Sequence, residues 1–234
     1  MTNFNFEGQP EGDWDDRGNI SWSELDWQQF LSRREKEVAR LLHFYNECPS
    51  DSMDRLDWVA RQMGWDSEDW SVSDFIEGED DPDEEGDSWK ADDRGKDSPD
   101  SDPYTLHRHP VYVVCSGLFL HLRYIWRKVI TEQNDAIDNL RAWDFGESLN
   151  EAEKHSLIAM QCMDMGDFLL CVVHMKRALR GINLAMSLLP ELVTLADGNK
   201  ALQEQLYTRL FDLREVCLRV IQDCREEDRR NFRE

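Results

Sequence analysis

The 234-residue chain has no C-x-x-C pair, no glycine-rich phosphate loop and no apolar run of membrane-spanning length. Its longest apolar stretch, Val111 to Leu120, is interrupted by Ser116 and Gly117 and then meets His121 and Arg123. A spanning helix needs about 20 predominantly apolar residues, so this stretch is too short. Without C-x-x-C spacing, zinc-ribbon and thioredoxin-type chemistry drop out. There is no G-x-S-x-G elbow, no Walker loop and no G-x-G-x-x-G, which removes the familiar hydrolase and nucleotide-binding signatures. Sustained period-two alternation is also missing, so little or no sheet is expected. Met1 to Pro10 lacks the basic segment and apolar core of a signal peptide, and a reducing cytoplasm is the expected compartment.

Positive charge is scarce. The chain holds 27 Lys and Arg against 49 Asp and Glu, a net charge of −22. Such acidity disfavours a phosphate-backbone binder, which needs clustered Lys and Arg, and equally an anionic membrane surface. The charge is unevenly placed. Residues 1–102 carry 30 acidic against 10 basic residues, and residues 103–234 carry 19 against 17. Residues 66–102 alone carry 17 against 3, a density at which like charges keep a segment extended and hydrated.

Four segments follow from this composition: a mobile polar tail over 1–20, N-terminal helices within 21–76 that pack on the bundle, an acidic and disordered linker over 77–103, and a main helical bundle over 104–234. The first helix is expected near Ser23, where Ser23-Glu24-Leu25-Asp26 is a capping signal, with Pro49 as its stop. A short helix fits Met53 to Met63, capped by Asp51 or Ser52 and ended by Gly64. A third helix is expected from Pro110 to about Trp143, with Phe145-Gly146-Glu147 as the turn. A fourth is expected from Asn150 to Leu189, ahead of Pro190, with a seam through Ile158, Gln161, Met165, Phe168, Val172 and Met175. A last helix carries Leu202, Leu206, Leu210, Leu213, Cys217, Val220 and Cys224. These seams step by three and four, the spacing of helix-on-helix packing, and predict an all-α, up-down antiparallel bundle of three to four long helices.

Met165-Gly166-Asp167 and the apolar run after it faintly resemble the turn and second helix of a tetratricopeptide repeat, which would break the helix at Gly166. No second copy recurs at the period of about 34 residues, and the seam drawn through Met165 and Phe168 favours one continuous helix instead.

Candidate chemistry is sparse. Ferritin-like metal bundles need Glu-x-x-His on two helices, and the nearest pair here is Glu151 with His155, four apart. If the turns pivot at 146–147 and near 194, the polar seam positions Glu132, Gln161 and Glu227 share a level, which makes a metal or proton-linked layer a candidate. Asp81 to Asp92 partly matches a calcium loop, with Gly86 at its sixth position, but Asp92 replaces the bidentate Glu and the flanks lack helices. His107 and His109 are read as a structural or exposed pair pointing to opposite faces of an extended segment. His121, His155 and His174 are expected singly on helices. Arg40 with His43 and Arg108 with His109 are too close in sequence for the Arg–His spacing of helical nucleases. Cys115, Cys162, Cys171, Cys217 and Cys224 sit in apolar helical patterns and are expected to pack as small hydrophobes.

The feature with most functional content is distributed. Seven of the nine tryptophans fall in the first 89 residues, most beside acids, as in Asp13-Trp14-Asp15, Asp26-Trp27, Asp57-Trp58 and Asp69-Trp70. Tryptophan among carboxylates suits docking to a basic, apolar groove. The bundle carries basic clusters of its own: Arg123, Arg127 and Lys128; Lys176, Arg177 and Arg180; Arg225, Arg229, Arg230 and Arg233. The expected function is a non-enzymatic interaction or regulatory protein, with the acidic arm docking on a partner or on its own bundle. A metal-binding or redox bundle is the alternative, and an enzyme with an unfamiliar site a third. No catalytic residue, cofactor or metal ligand is assigned, and self-association through the exposed helix faces is open.

Overall fold

Helix ends and turns are set by local sequence, and they move several of the expected boundaries. The computed structural model describes residues 23–49, 54–65, 106–132, 137–193 and 200–231. The tail 1–20, the linker 77–103, the candidate calcium loop Asp81–Asp92, Trp14, Trp22, Trp70, Trp89 and Arg233 lie outside the described residues.

α1 (Glu24–Glu47) starts on a complete capping box. The Ser23 hydroxyl accepts the Asp26 N–H at 3.3 Å, and the Asp26 carboxylate accepts the Ser23 N–H at 2.9 Å. The helix stops ahead of Pro49, as expected. α2 (Arg55–Met63) ends at a left-handed Gly64 but begins later than Met53, with Asp54 at the N-cap making no side-chain cap bond. A 3-10 turn, Leu106–Arg108, leads into α3 (Pro110–Glu132). His109 Nδ1 accepts the Val111 N–H at 3.2 Å, so this histidine caps α3. His107 and His109 therefore lie in a turn and not in an extended strand. The His107 ring packs edge-on to Tyr112, with centroids 4.7 Å apart.

The next two boundaries overturn the expected segmentation. α3 stops at Glu132, and α4 (Asn139–Asp164) takes Phe145-Gly146-Glu147 into its interior. Phe145, Leu149, Ala152, Ser156, Ala159, Met160 and Met163 form one buried helical stripe, while Gln161 and Met165, both drawn in the expected seam, are exposed. The chain then breaks at 165–167. The Asp167 N–H bonds the Cys162 carbonyl at 2.8 Å and the Gly166 N–H bonds the Met163 carbonyl at 3.0 Å. That crossed pair is a Schellman stop, and it needs the positive φ of 75° that Gly166 supplies. Asp167 then caps α5 (Phe168–Val193) by accepting the Leu170 N–H at 3.0 Å. Pro190 does not end α5, which runs on to Val193. α6 (Lys200–Asn231) contains the expected final seam.

The described residues make an all-α helix bundle with no strand. α4 and α5 form an antiparallel hairpin, and α6 returns along α5, with Cys224 Sγ 3.4 Å from Cys171 Sγ. α3 packs on α4 through the Arg123–Glu153 ion pair and the mutually tilted rings of Trp126 and Phe145, whose centroids are 4.4 Å apart. α1 lies along α3, and α2 reaches α6 through Arg55–Asp212 and Asp57–Arg219 ion pairs. One apolar cluster runs from Leu41 to Cys224 through all of them. All six cysteines are free thiols, and all but the half-buried Cys48 are buried in that core. Burial pushes the Cys217 thiol up to about 12, which leaves a neutral packing group. Among the described residues no helix is long and apolar enough to cross a membrane.

Candidate functional site

A close approach of two helices builds an open groove. A Cβ placed on Gly181 would lie 2.8 Å from the Ser148 carbonyl oxygen and 3.2 Å from the Ala152 nitrogen, so α5 approaches the α4 backbone where only glycine fits. Beside that crossing an open groove of about 570 Å³ runs between the two helices. Asp144, Glu147, Glu151 and His155 of α4 line one wall, and Arg177 and Arg180 of α5 the other, with Leu184 and Leu188 on the same helix. Opposite charges therefore face each other across it.

At one end of the groove the hairpin register brings together two histidines that sequence reading kept apart. His155 Nδ1 lies 3.0 Å from His174 Nδ1, and His155 Nε2 lies 3.5 Å from the Glu151 carboxylate. Burial, then the His174 ring, hold the His155 pKa below its ordinary value. No nucleophile in the groove is poised on a base: the Ser148 hydroxyl donates to the Phe145 carbonyl at 2.7 Å.

A second polar cluster is structural. Tyr45 of α1 donates its phenol O–H to Asp212 of α6, and the guanidinium groups of Arg55 and Arg209 sit 5.4 and 5.2 Å from the Tyr45 ring centroid. Arg209 donates to Asn46 Oδ1 at 2.8 Å, to the Gln205 carbonyl at 3.0 Å and to His121 Nδ1 at 3.2 Å. Arg209 and Asp212 are only 5% and 7% exposed, so this clasp ties α1, α2 and α3 to α6 from inside the protein.

Burial and the neighbouring Arg209 push His121 down to about 4. The unfolded chain, with His near 6.5, binds this proton first. The stability that neutral His121 contributes is thus complete above about pH 6.5 and is lost as the pH falls towards 4. Urea midpoints are expected to drop between pH 7 and pH 5, and the drop should be shallower in His121→Gln. An equal drop in both proteins would contradict the assignment.

The other expected site residues fare differently. Glu132 ends α3, whereas Gln161 lies 22 residues along α4 from Asn139, about 33 Å at 1.5 Å per residue. Because α3 and α4 run antiparallel, Glu132 and Gln161 stand at opposite ends of the bundle and the expected layer does not form. Glu227 pairs with Arg230 at 3.0 Å. Among the described residues no three His, Cys, Asp or Glu side chains converge as metal ligands. Of the basic clusters, Arg123 is paired with Glu153, whereas Lys176, Arg177 and Arg180 are exposed along α5 with no ion-pair partner among the described residues.

Fold and surface together define an all-α helix-bundle protein with an open groove whose walls carry opposite charge. No protein-family model, no curated protein and no solved structure matches the chain.

Proposed function

We propose that this is a non-enzymatic interaction protein that receives an acidic, aromatic peptide segment along the exposed face of α5 that includes the groove's basic wall, either a partner's or its own. The supporting observation is the composition of that face. Leu169, Leu170 and Val173 are exposed at its start, Lys176, Arg177 and Arg180 follow without ion-pair partners among the described residues, and Leu184 is exposed beyond them. An apolar–basic–apolar strip complements tryptophan anchors set among carboxylates. The chain carries such a sequence itself, since residues 66–102 hold 17 acids against 3 basic residues together with Trp70 and Trp89.

A synthetic peptide spanning 66–102 tests the reading. It should bind the protein lacking residues 77–102 with an affinity that weakens by about tenfold or more from ~0.05 to ~0.5 M NaCl as screening increases. Charge reversal of Lys176, Arg177 and Arg180 should remove that binding. Weaker binding to the full chain than to the deleted one marks self-docking, and equal binding marks docking of an outside segment. Binding indifferent to salt and to the charge reversal overturns the proposal.

A further inference from the structure

We infer that the α4–α5 hairpin is a self-association surface, on which a second copy of this chain lays its α4 along α5. The exposed strip of α5 has a counterpart on α4. Leu170, Val173, Arg177, Arg180, Leu184 and Leu188 step by three and four along one open side of α5. Leu140, Asp144, Glu147 and Glu151 do the same on α4, and none of these side chains is buried in the core. Steps of three and four are the pattern of a helix that packs on another helix. Within one copy, however, the charged middle of each strip borders the open groove.

Those charges are left over. Asp144 and Glu147 of α4, and Arg177 and Arg180 of α5, form no ion pair among the described residues, while Glu151 meets Lys154 and His155 of its own helix. Their levels also correspond. His174 stands against His155 and Gly181 against Ser148, so Arg177 and Arg180 lie level with residues 149–152 of α4, beside Glu147 and Glu151.

Symmetry then selects one arrangement. Two copies of one face meet about a two-fold axis that lies in the interface. An axis across the helices would set α4 on α4, carboxylates on carboxylates. An axis along the helices keeps every level and sets each copy's α4 on the other's α5, so an acidic strip meets a basic strip twice. All neighbouring helices then run antiparallel, as in an up-down bundle. Residues 103–234 hold 19 acidic against 17 basic residues, so the two bundles are themselves nearly neutral. Each hairpin helix has 26 residues and is about 39 Å long, and two side by side are about 20 Å wide. That footprint, about 800 Å² per copy, is the size of a standard specific interface. The inference does not rest on the peptide reading, and the two occupants exclude each other on the α5 strip.

Analytical ultracentrifugation of the full-length protein at micromolar concentration, with no peptide added, tests it. The expected mass is twice that of the chain. Glu147→Arg with Glu151→Arg turns the α4 strip basic, and Arg177→Glu with Arg180→Glu turns the α5 strip acidic. Each double variant alone should sediment as a monomer with its helical circular dichroism unchanged. An equimolar mixture of the two should regain the dimer, because the basic strips of one then face the acidic strips of the other. A monomeric wild-type protein overturns the proposal. So does a dimer that persists in both variants, which would use another face. A mixture that stays monomeric overturns it as well, since the loss in each variant would then owe nothing to complementary charge.

Discussion

Asp212→Ala is expected to destabilise the protein by about 3–5 kcal/mol, the usual consequence of removing one partner from a buried ionic cluster. The carboxylate accepts the Tyr45 phenol proton and stands 3.7 Å from Arg55, with Arg209 across the same ring. Burial raises the Asp212 pKa, and the Tyr45 hydrogen bond and the two guanidinium groups oppose that rise. Without Asp212 the buried Arg209 keeps its charge and loses the nearest negative group. Tyr45→Phe removes only the hydroxyl and should cost less, about 1–3 kcal/mol, for leaving a buried acceptor unsatisfied. Urea unfolding followed by circular dichroism measures both. A loss for Asp212→Ala no larger than for exposed Asp164→Ala would mean that the clasp contributes little.

Phe145→Ala should cost a comparable amount, about 3–5 kcal/mol, because a large ring is deleted from a close-packed interior. Phe145 is fully buried against Trp126 in the second turn of α4. The same substitution at Met165, which is 72% exposed at the α4–α5 turn, should change stability by less than about 0.5 kcal/mol. The contrast also tests the segmentation. A turn at 145–147 with a helix through Met165 requires the opposite order of effects, so a larger loss at Met165 would overturn the boundaries described above.

Much of the fold is legible in the sequence because its signals are local. Ser23 and Asp26 specify a helix start within four residues, Gly64 a stop, and the Leu202-to-Cys224 seam a buried face, and none of these depends on remote residues. The misreading of α3 to α5 has a physical origin. A step pattern of three and four can be drawn on more than one face of an apolar helix, and the line through Gln161 and Met165 ran along an exposed face. Gly166 followed by Asp167 carried the stronger information: a left-handed stop and then a cap.

The histidine pair shows what such an error hides. On one continuous helix His155 and His174 would be 19 residues, about 28 Å, apart; with the turn at 165–167 they touch. Their meeting depends on register, and register depends on where the chain reverses. The Tyr45–Asp212 clasp was beyond reach for another reason. It joins residues 167 apart in sequence, and no periodicity reports a contact between separate helices.

That separation has a kinetic consequence. The α4–α5 hairpin closes through three residues, so its contacts form at little loop-closure cost and belong to the early part of folding. The clasp can close only after α6 has returned along α5 and α1 has come to lie on α3, which places it late. Interactions absent from the transition state control the unfolding rate more than the folding rate. Tyr45 and Asp212 thus act as a latch on the native state: they set how long the assembled bundle lasts, while the hairpin sets how quickly it forms.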